Sequence, residues 1–314
     1  MQSSDYYYDS YSQIGIHATM LLDLPRTTAY HSAISTSPLF RDAVVLDVGA
    51  GTGVLAVFAA RAGAREVHAV DASAAICEVA REVVEANGVG GVVTVHNSSI
   101  ENWEPPPGFK ADIIVSEWMG YLLTYESMLD SVLLARDLHL RPGGAMFPDR
   151  AALYLFGYND PDDPLDGLEG GLCGVDLSAV ARRAREEPVV DKVDSRAVVT
   201  DAQPVYNLDL LTCNVGRTRD LTHSFSLRLN CSGPVTGIGG YFDVGFLGSE
   251  PPVGLSTAPA AKETHWKQTL FPLAEPAGGE RVEGTMRVRE NERNKRDLDI
   301  TLEVGGCVQE FKMR

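Results

Sequence analysis

The segment Val45-Leu-Asp-Val-Gly-Ala-Gly-Thr-Gly53 decides the fold of this 314-residue chain. The apolar run at residues 43–47 predicts a buried strand, and three glycines separate it from a helix predicted over residues 54–62. Glycine permits left-handed backbone and close approach of a ligand, and the first turn of a helix offers free N–H groups. The segment therefore predicts a nucleoside-type binding loop in an α/β domain.

Strand-like and helix-like segments alternate through the first half of the chain. Residues 66–70, 92–95 and 112–115 predict three further strands. Ser73 is placed to cap a helix that ends at Gly88 and whose apolar positions recur with a period of 3.6. This alternation is typical of a parallel sheet with crossover helices.

After Pro148 the pattern becomes rich in β-strands. Apolar and polar residues alternate over 298–304, which predicts a strand with one buried face. Residues 284–288 precede it across a polar connection, so a hairpin is expected there. Other strand candidates are residues 241–247 and 266–271. Residues 159–174, rich in Asp, Gly and Pro, predict a loop or projecting arm, followed by a short helix at 177–185.

The charge and composition restrict the class of partner. A formal charge of −16, from 27 basic and 43 acidic residues, argues against nucleic acid or an anionic membrane and suits either a basic peptide partner or simple solubility. No apolar stretch approaches a membrane span, and the first residues show no signal-peptide pattern. Five scattered cysteines predict neither a zinc site nor a disulfide framework. We expect a soluble protein of the cytoplasm, with the nucleus left open.

Two aspartates discriminate among the ligands that a glycine loop can bind. Asp47 lies two residues before Gly49, where its carboxylate would repel a pyrophosphate and attract an ammonium or a sulfonium. Asp71, at the end of the next predicted strand, is placed to accept hydrogen bonds from a ribose diol. These positions favour S-adenosylmethionine over NAD, with a turn that binds no ligand as the remaining alternative.

Glu117 and Glu126 bracket the apolar run Trp-Met-Gly-Tyr-Leu-Leu-Thr-Tyr. Carboxylates in apolar surroundings need a cation or hydrogen bonds, and two together repel unless positive charge lies between them. Glu117 falls near the carboxyl end of the strand at 112–115, the edge at which open α/β sheets bind ligands. The pair predicts a receptor for a flat cationic group. The alternative is one glutamate at a helix start and one on the surface.

Four motifs together resemble those of the protein arginine methyltransferases, and the resemblance covers nearly the whole chain. They are Tyr7-Tyr-Asp-Ser-Tyr11, the glycine segment 45–53, Ser116-Glu-Trp-Met-Gly-Tyr121 with Tyr125-Glu-Ser-Met128, and Thr264-His-Trp-Lys-Gln-Thr269. The resemblance implies an α/β, Rossmann-like S-adenosylmethionine-dependent methyltransferase domain, followed by a β-barrel with an inserted dimerisation arm. The implied units are capping helices in 1–35, the cofactor domain in 36–147, and the barrel in 148–314 with the arm at about 158–187.

The resemblance also implies roles for individual residues. Arg26 would bind the methionine carboxylate, Asp71 the ribose, and Ile100 and Glu101 the adenine. The other implied cofactor contacts are Tyr11, His17, Asp47, Gly49, Gly51 and Glu117. The implied substrate contacts are Tyr8, Met20, Glu117, Glu126, Met128 and Trp266.

The implied reaction places an arginine guanidinium between Glu117 and Glu126, which would orient one nitrogen toward the sulfonium methyl. No metal is required. His265 would pair with Asp23 beneath the site, and either Glu126 or water coupled to that pair could take the product's proton. Met20, Met128 and the triplet Thr264-His-Trp266 resemble members that make asymmetric dimethylarginine.

Three departures from the family pattern are present. Asp71 stands where Glu is usual, Ala18-Thr19 replaces an acidic pair, and the segment 159–174 is short and lacks aromatic residues. The expected partners are basic, arginine-containing proteins, such as Gly-Arg-rich proteins or histone tails, and a second copy of the chain. A non-catalytic partner subunit is the alternative function.

Overall fold

The computed structural model describes residues 13–160, 165–214, 220–231 and 233–314, without the side chains of Asp166 and Glu169. The expectations for Tyr8 and Tyr11 and for the motif that contains them lie outside the described residues.

From residue 13 onward, two helices precede the first sheet, α1 (Ile14–Leu22) and α2 (Leu24–Thr36). Asp23 separates them, and its Oδ1 accepts a hydrogen bond from the backbone N–H of Arg26 at 3.1 Å, which caps α2. Pro25 occupies the first turn of α2, where its missing N–H costs no helical bond. The two helices therefore meet at a capped corner, and a 3₁₀ turn at Pro38–Phe40 leads into the sheet.

A five-stranded parallel sheet forms the core of the first domain, in the order β3-β2-β1-β4-β5. Its strands are β1 (Val44–Val48), β2 (Glu66–Asp71), β3 (Val93–Asn97), β4 (Ala111–Val115) and β5 (Leu140–Phe147). The crossover helices are α3 (Val54–Arg61), α4 (Ala74–Ala86) and α5 (Met128–His139). Every residue of the central strand β1 is buried, as expected when helices cover both faces of a sheet. The strand order reverses between β1 and β4, which makes their carboxyl ends the expected ligand edge.

The predicted strands and helices of this domain are present, with bounds shifted by one or two residues. One local expectation is wrong: the side chain of Ser73 makes no cap bond to α4. The backbone N–H of Ser73 instead donates to Asp71 Oδ1 at 2.9 Å, which binds the start of α4 to the end of β2. The sequence did not predict α5 or β5.

The second domain consists of two antiparallel sheets. One sheet has the order β7-β12-β10-β6-β8 with β11 on β10, and the other has the order β15-β14-β13-β9. The strands of the first are β6 (Arg150–Tyr158), β7 (Val189–Asp191), β8 (Gln203–Asp209), β10 (Val235–Phe246), β11 (Val253–Ser256) and β12 (Gln268–Ala277). Those of the second are β9 (Asp220–Arg228), β13 (Arg281–Glu290), β14 (Leu298–Val304) and β15 (Cys307–Met313). The sheets contact each other at β8–β9 and β12–β15, and strand pairing within the described ranges does not close them into one continuous barrel.

The predicted hairpin is confirmed, because β13 pairs with β14 from Gly284↔Val304 to Glu290↔Leu298. Two strand expectations need correction. Leu247 lies beyond the end of β10, and Trp266 precedes β12 in a turn in which Lys267 has a φ of 48°. That left-handed residue is incompatible with an extended strand, which explains why pairing begins only at Gln268.

The segment expected to form the arm lies between β6 and β7. It contains the short helices α6 (Asp166–Glu169) and α7 (Ser178–Ala184), the second one residue shorter at each end than predicted. None of the helices described is long and apolar enough to cross a membrane.

Candidate active site

A cavity of about 480 Å³ lies at the carboxyl edge of the parallel sheet, beside the ends of β1 and β4. It brings together most of the predicted site residues from both halves of the chain. These are His17, Met20, Arg26, Gly49, Gly51, Asp71, Ile100, Glu101, Glu117, Glu126, Met128, His265 and Trp266. Asp23 and Asp47 do not line its wall.

The backbone conformation of the loop between β1 and α3 requires glycine at three positions. Gly49, Gly51 and Gly53 have φ values of 71°, 53° and 76°, in the left-handed region that side chains disfavour. A Cβ added at Gly49 would collide with the Sδ–Cε end of Met128. The loop therefore forms a glycine cradle, in which a side chain at Gly49 would be strained and would displace the end of Met128.

Asp71 ties this loop to the end of β2. Its Oδ2 accepts the Gly51 N–H and its Oδ1 accepts the Ser73 N–H, both at 2.9 Å. Each carboxylate oxygen has a second lone pair, so Asp71 keeps acceptor capacity for the two hydroxyls of a ribose. The shorter side chain, relative to the Glu usual in the resembled family, is thus held in place by two backbone donors.

The adenine end of the predicted site follows β3. Ile100 is buried, whereas Glu101 is exposed, and both line the cavity. Glu101 Oε1 accepts a hydrogen bond from Ser131 Oγ of α5 at 2.5 Å. One apolar and one polar side chain are thus available there for the face and the edge of a base.

Asp47 departs from the sequence expectation. The expected carboxylate facing the ligand is instead buried behind the loop, because β1 is covered on both faces, and neither of its oxygens has a partner of normal hydrogen-bond geometry in the described part of the chain. Burial, and then the charge of Asp71, raise the pKa of Asp47 to about 7, while the backbone N–H of Ala56 in the first turn of α3 and the charge of Arg26 partly offset this. Asp47 is therefore a buried and only partly compensated carboxyl beneath the glycine loop.

Arg26 and Glu117 form a buried ion pair. Nε and Nη2 of Arg26 donate to Glu117 Oε2 at 2.9 and 2.8 Å, and the two side chains are 8% and 10% exposed. Arg26 Nη1 donates to the Met20 carbonyl at 3.1 Å. Burial alone would lower the pKa of Arg26, but Glu117 outweighs it and raises that pKa. A guanidinium has five N–H groups, so the two beyond these three bonds remain for a ligand carboxylate.

The segment that carries both glutamates has unusual backbone geometry. Leu122, Leu123, Glu126 and Ser127 have φ values of 52°, 70°, 76° and 54°, all left-handed. Such residues persist only where the surrounding structure imposes the conformation, and they cluster at functional sites. A Cβ at Gly120 would collide with the backbone of Tyr125, so the segment also requires a glycine there.

His265 and Asp23 form the predicted pair. Asp23 Oδ2 accepts hydrogen bonds from His265 Nδ1 at 2.7 Å and from the His265 backbone N–H at 2.8 Å. An ionised carboxylate only accepts, so the proton of His265 lies on Nδ1 and Nε2 is the free acceptor. Burial would raise the pKa of Asp23, but the bonds from His265 and Arg26 outweigh it and lower that pKa.

Trp266 and Arg296 complete the wall on the side of the second domain. Trp266 is buried, and its Nε1 donates to the Met119 carbonyl at 2.8 Å, which joins the turn before β12 to the glutamate segment. Arg296, from the turn between β13 and β14, was not predicted as a site residue. No local signal distinguished it from the other charged residues of that polar turn.

The cavity fits S-adenosylmethionine. The glycine cradle, the ribose acceptor Asp71, the remaining donors of Arg26 and the apolar wall at Ile100 match the parts of that molecule, and the carboxylates suit its cationic centre. The fold and the site together define a methyltransferase of the Rossmann-like, S-adenosylmethionine-dependent class.

Comparison with known proteins identifies the family. A methyltransferase-domain family model matches residues 45–144, and the arginine methyltransferase oligomerization subdomain matches residues 149–305. Protein arginine N-methyltransferase 1.1 of Arabidopsis thaliana is 42% identical over 306 residues, which cover 96% of this chain and 78% of that protein.

Two solved structures are also similar. The Trypanosoma brucei PRMT1 enzyme–prozyme heterotetrameric complex with AdoHcy has a TM-score of 0.91 at 39% identity, covering 97% of this chain and all of that one (100%). An open conformation of Arabidopsis thaliana protein arginine methyltransferase 10 has a TM-score of 0.83 at 29% identity, covering 98% and 99% of the two chains. The chain therefore belongs to the protein arginine methyltransferase family. It is an S-adenosylmethionine-dependent protein arginine N-methyltransferase with an oligomerisation subdomain.

Proposed function

We propose that this enzyme converts arginines of basic proteins to monomethylarginine and then to asymmetric dimethylarginine. The observation that carries the proposal is that Glu117 and Glu126 line the same cavity as the glycine loop. Met20 and Met128 line that cavity too, as do His265 and Trp266 of the triplet associated with the asymmetric product.

Glu117 and Glu126 are proposed to bind the substrate guanidinium. S-adenosylmethionine supplies an electrophilic methyl group on a sulfonium. Both bonds from Arg26 go to Oε2 of Glu117, which leaves Oε1 for a substrate N–H. Two carboxylates on one guanidinium orient a terminal nitrogen and offset the cost of removing the cation from water. The work of the protein is thus positioning and electrostatic stabilisation.

The proton lost from the product has two candidate acceptors, Glu126 and the His265–Asp23 pair. His265 lines the cavity with Nδ1 held by Asp23, so its Nε2 can accept a proton or order a water molecule. The buried Asp23 carboxylate would stabilise the imidazolium that forms. Because a proton acceptor must be deprotonated to act, loss of the acidic limb of the pH–rate profile in His265→Gln or in Glu126→Gln would identify the acceptor.

The oligomer is proposed to be a homodimer formed through two exposed apolar patches. Leu172, Val175 and Val180 of the arm segment are each more than half exposed, although residues 159–187 include no aromatic residue. Ile14, Leu22 and Leu24 at the start of α1 and at the α1–α2 corner are also more than half exposed. A twofold axis that places the arm of each chain on the helices of the other would bury both patches twice. The match of residues 149–305, which include the arm segment, to an oligomerization subdomain supports oligomerisation.

The alternative, a non-catalytic partner subunit, gains no support from the site. Both glutamates, the glycine cradle and the Asp23–His265 pair are intact. A subunit without catalysis would not need these groups in one cavity.

Product analysis tests the proposal. Purified protein, S-adenosylmethionine and either a histone-tail or a Gly-Arg-rich peptide are incubated, and tandem mass spectrometry distinguishes the two dimethylarginine isomers. Asymmetric product is expected. Glu117→Gln and Glu126→Gln should strongly lower a still measurable activity, and the exposed control Glu104→Gln should keep the wild-type activity. A symmetric product would contradict the assigned specificity. Cofactor binding without turnover would favour the partner-subunit alternative.

A further inference from the structure

We propose that Arg296 is a positioning residue for Glu126. The β13–β14 turn of the second domain would then set the direction of the Glu126 carboxylate, which binds the substrate. This inference rests on the proposed role of Glu126 in binding the guanidinium. Arg296 lies in the stretch Asn291-Glu-Arg-Asn-Lys-Arg296, whose sequence indicates only a polar connection between two strands.

Arg296 holds the main chain of Glu126 on both sides of its Cα. The backbone N–H of Glu126 donates to the Arg296 carbonyl at 2.9 Å. Arg296 Nη1 donates to the Glu126 carbonyl at 2.8 Å. A residue fixed through both its N–H and its C=O has little freedom in φ or ψ, so the direction of its Cβ is set as well.

These two hydrogen bonds restrain a stretch of backbone whose conformation is unfavourable. Glu126 and Ser127 have φ values of 76° and 54°, a region that L-residues with side chains avoid. Ser127 Oγ adds a bond to the Lys295 carbonyl at 2.5 Å. Rotation of Glu126 into an ordinary conformation would break its bonds to Arg296 and turn its carboxylate away from the present position.

The turn that carries Arg296 is itself rigid. Asn291 Oδ1 accepts the backbone N–H groups of Arg293 and Asn294, at 2.9 and 3.1 Å. Asn294 Nδ2 donates to Asp297 Oδ1 at 2.7 Å, and Asn294 Oδ1 accepts the Arg296 N–H at 3.2 Å. Side chains that bond locally to backbone groups fix a turn without any regular ladder. The turn is therefore a fixed support rather than a mobile loop end.

The two glutamates are thus held differently by two arginines. Arg26 of α2 binds the carboxylate of Glu117, whereas Arg296 of the second domain binds the main chain of Glu126. A small displacement of a group that positions substrate costs about 100-fold in rate. Because the glycine loop is held by its own bond from the Gly51 N–H to Asp71, whereas Arg296 binds Glu126, loss of the Arg296 side chain should leave cofactor binding intact.

The test uses Arg296→Ala in the full-length enzyme, with Arg293→Ala as the matched control on the same turn. Arg293 is exposed and its side chain forms no ion pair or hydrogen bond in the part of the chain described. We expect Arg296→Ala to lower kcat by about 10- to 100-fold, with the Kd of S-adenosylmethionine unchanged by calorimetry. Arg293→Ala should behave like the wild type. Arg296→Lys keeps a cationic donor and should recover part of kcat; it also provides a readout if Arg296→Ala does not fold.

A double-mutant cycle shows whether Arg296 acts through Glu126. In the Glu126→Gln background, Arg296→Ala should have little further effect on kcat. An equal loss in both backgrounds, or a wild-type kcat in both Arg296 variants, would overturn the inference. If Glu126→Gln alone keeps full activity, the proposed role of Glu126 fails first. If Glu126→Gln is impaired and Arg296→Ala is not, only the positioning role fails.

Discussion

Arg26 places two of its N–H groups on a single oxygen of Glu117, at 2.9 and 2.8 Å. The pair joins α2 to Glu117, which lies two residues beyond the end of β4. One buried ion pair therefore connects the helices before the sheet to the edge of the sheet. Since Glu117 faces a cavity that must admit a cation, Arg26 balances its charge before the substrate enters.

Replacing Arg26 tests this balance. Arg26→Ala would leave the Glu117 carboxylate buried without its partner, and breaking a buried pair costs about 3–5 kcal/mol. We expect a lower melting temperature, weaker binding of S-adenosylmethionine and a loss of activity of at least about 100-fold. Calorimetric titration, thermal unfolding and steady-state kinetics measure these quantities. Arg41→Ala, at an exposed arginine near the same helices, is the control. Unchanged stability and affinity in Arg26→Ala would contradict the assignment.

Gly49→Ala tests the cradle. A Cβ at Gly49 adds backbone strain at a φ of +71° and also meets Met128. Gly88→Ala is a matched control, because Gly88 has a φ of +68° but open space around its Cβ. Both substitutions should cost roughly 1 kcal/mol of stability through the backbone. Only Gly49→Ala should also weaken cofactor binding, and equal affinities in a fluorescence titration would show that the cradle does not contact the cofactor.

The Asp23–His265 pair predicts a stability loss in acid. The pKa of Asp23 lies below its ordinary value of 3.8 in the folded protein. Its contribution is therefore full above that ordinary pKa and is lost as the pH falls through the lowered one. Asp23→Asn should cost about 1–3 kcal/mol at pH 7, and this difference from the wild type should shrink below about pH 4. Urea unfolding at several pH values measures it. A cost that stays constant down to pH 3 would mean that charge at Asp23 contributes nothing.

For Asp47 we expect the opposite dependence of folding stability on pH. Its folded pKa is about 7, above the ordinary 3.8, so the folded protein binds the proton more tightly than the unfolded chain does. The stability of the ligand-free protein should therefore fall as the pH rises from about 4 to about 7, by up to about 4 kcal/mol from this group. Asp47→Asn should remove that slope and stabilise the ligand-free protein at pH 8. The same variant should bind S-adenosylmethionine more weakly if the cofactor's ammonium compensates the charge of Asp47. Parallel slopes in the two proteins would refute the buried-charge interpretation.

We expect a substitution in the exposed patch of the arm segment to change the oligomeric state. Val175→Asp places a charge in the exposed apolar patch of the arm segment and should convert the proposed dimer to monomer in light scattering. Leu138→Asp on α5 is the control, because Leu138 is about equally exposed but lies outside both patches. If Val175→Asp leaves the mass unchanged, the patch is not the interface.

The sequence predicted the first domain well because its signals are local. The buried run at β1, the glycines after it and the 3.6-residue period of α4 specify their own backbone through burial, left-handed φ values and periodicity. Strands such as β5, which contains Pro142-Gly-Gly144, carry no such pattern and form because a neighbouring strand supplies the hydrogen bonds. Weak local preference yields there to tertiary context.

The site residues divide in the same way, into those predicted from the sequence and those that depend on tertiary contacts. Residue type and chain position identified the glutamate pair, the glycine loop and Asp71, because their chemistry is distinctive, whereas the Asp23–His265 pair was implied by the family resemblance. The sequence expected Asp47 to face the ligand, but the burial of β1 on both faces hides it. It also gave no reason to select Arg296, whose role depends on an approach to Glu126 across 170 residues.

The sequence by itself determined the nature of the chemistry: carboxylates for a flat cation and a glycine loop for a nucleoside, with the guanidinium and the histidine–aspartate pair implied by the family resemblance. The tertiary structure decided how those groups are held. Arg26 binds Glu117 by its carboxylate, Arg296 binds Glu126 by its main chain, and Asp47 stays beneath the loop. Hydrogen bonds between distant segments depend on the packing of whole domains, and that packing is not encoded in any local window of the chain.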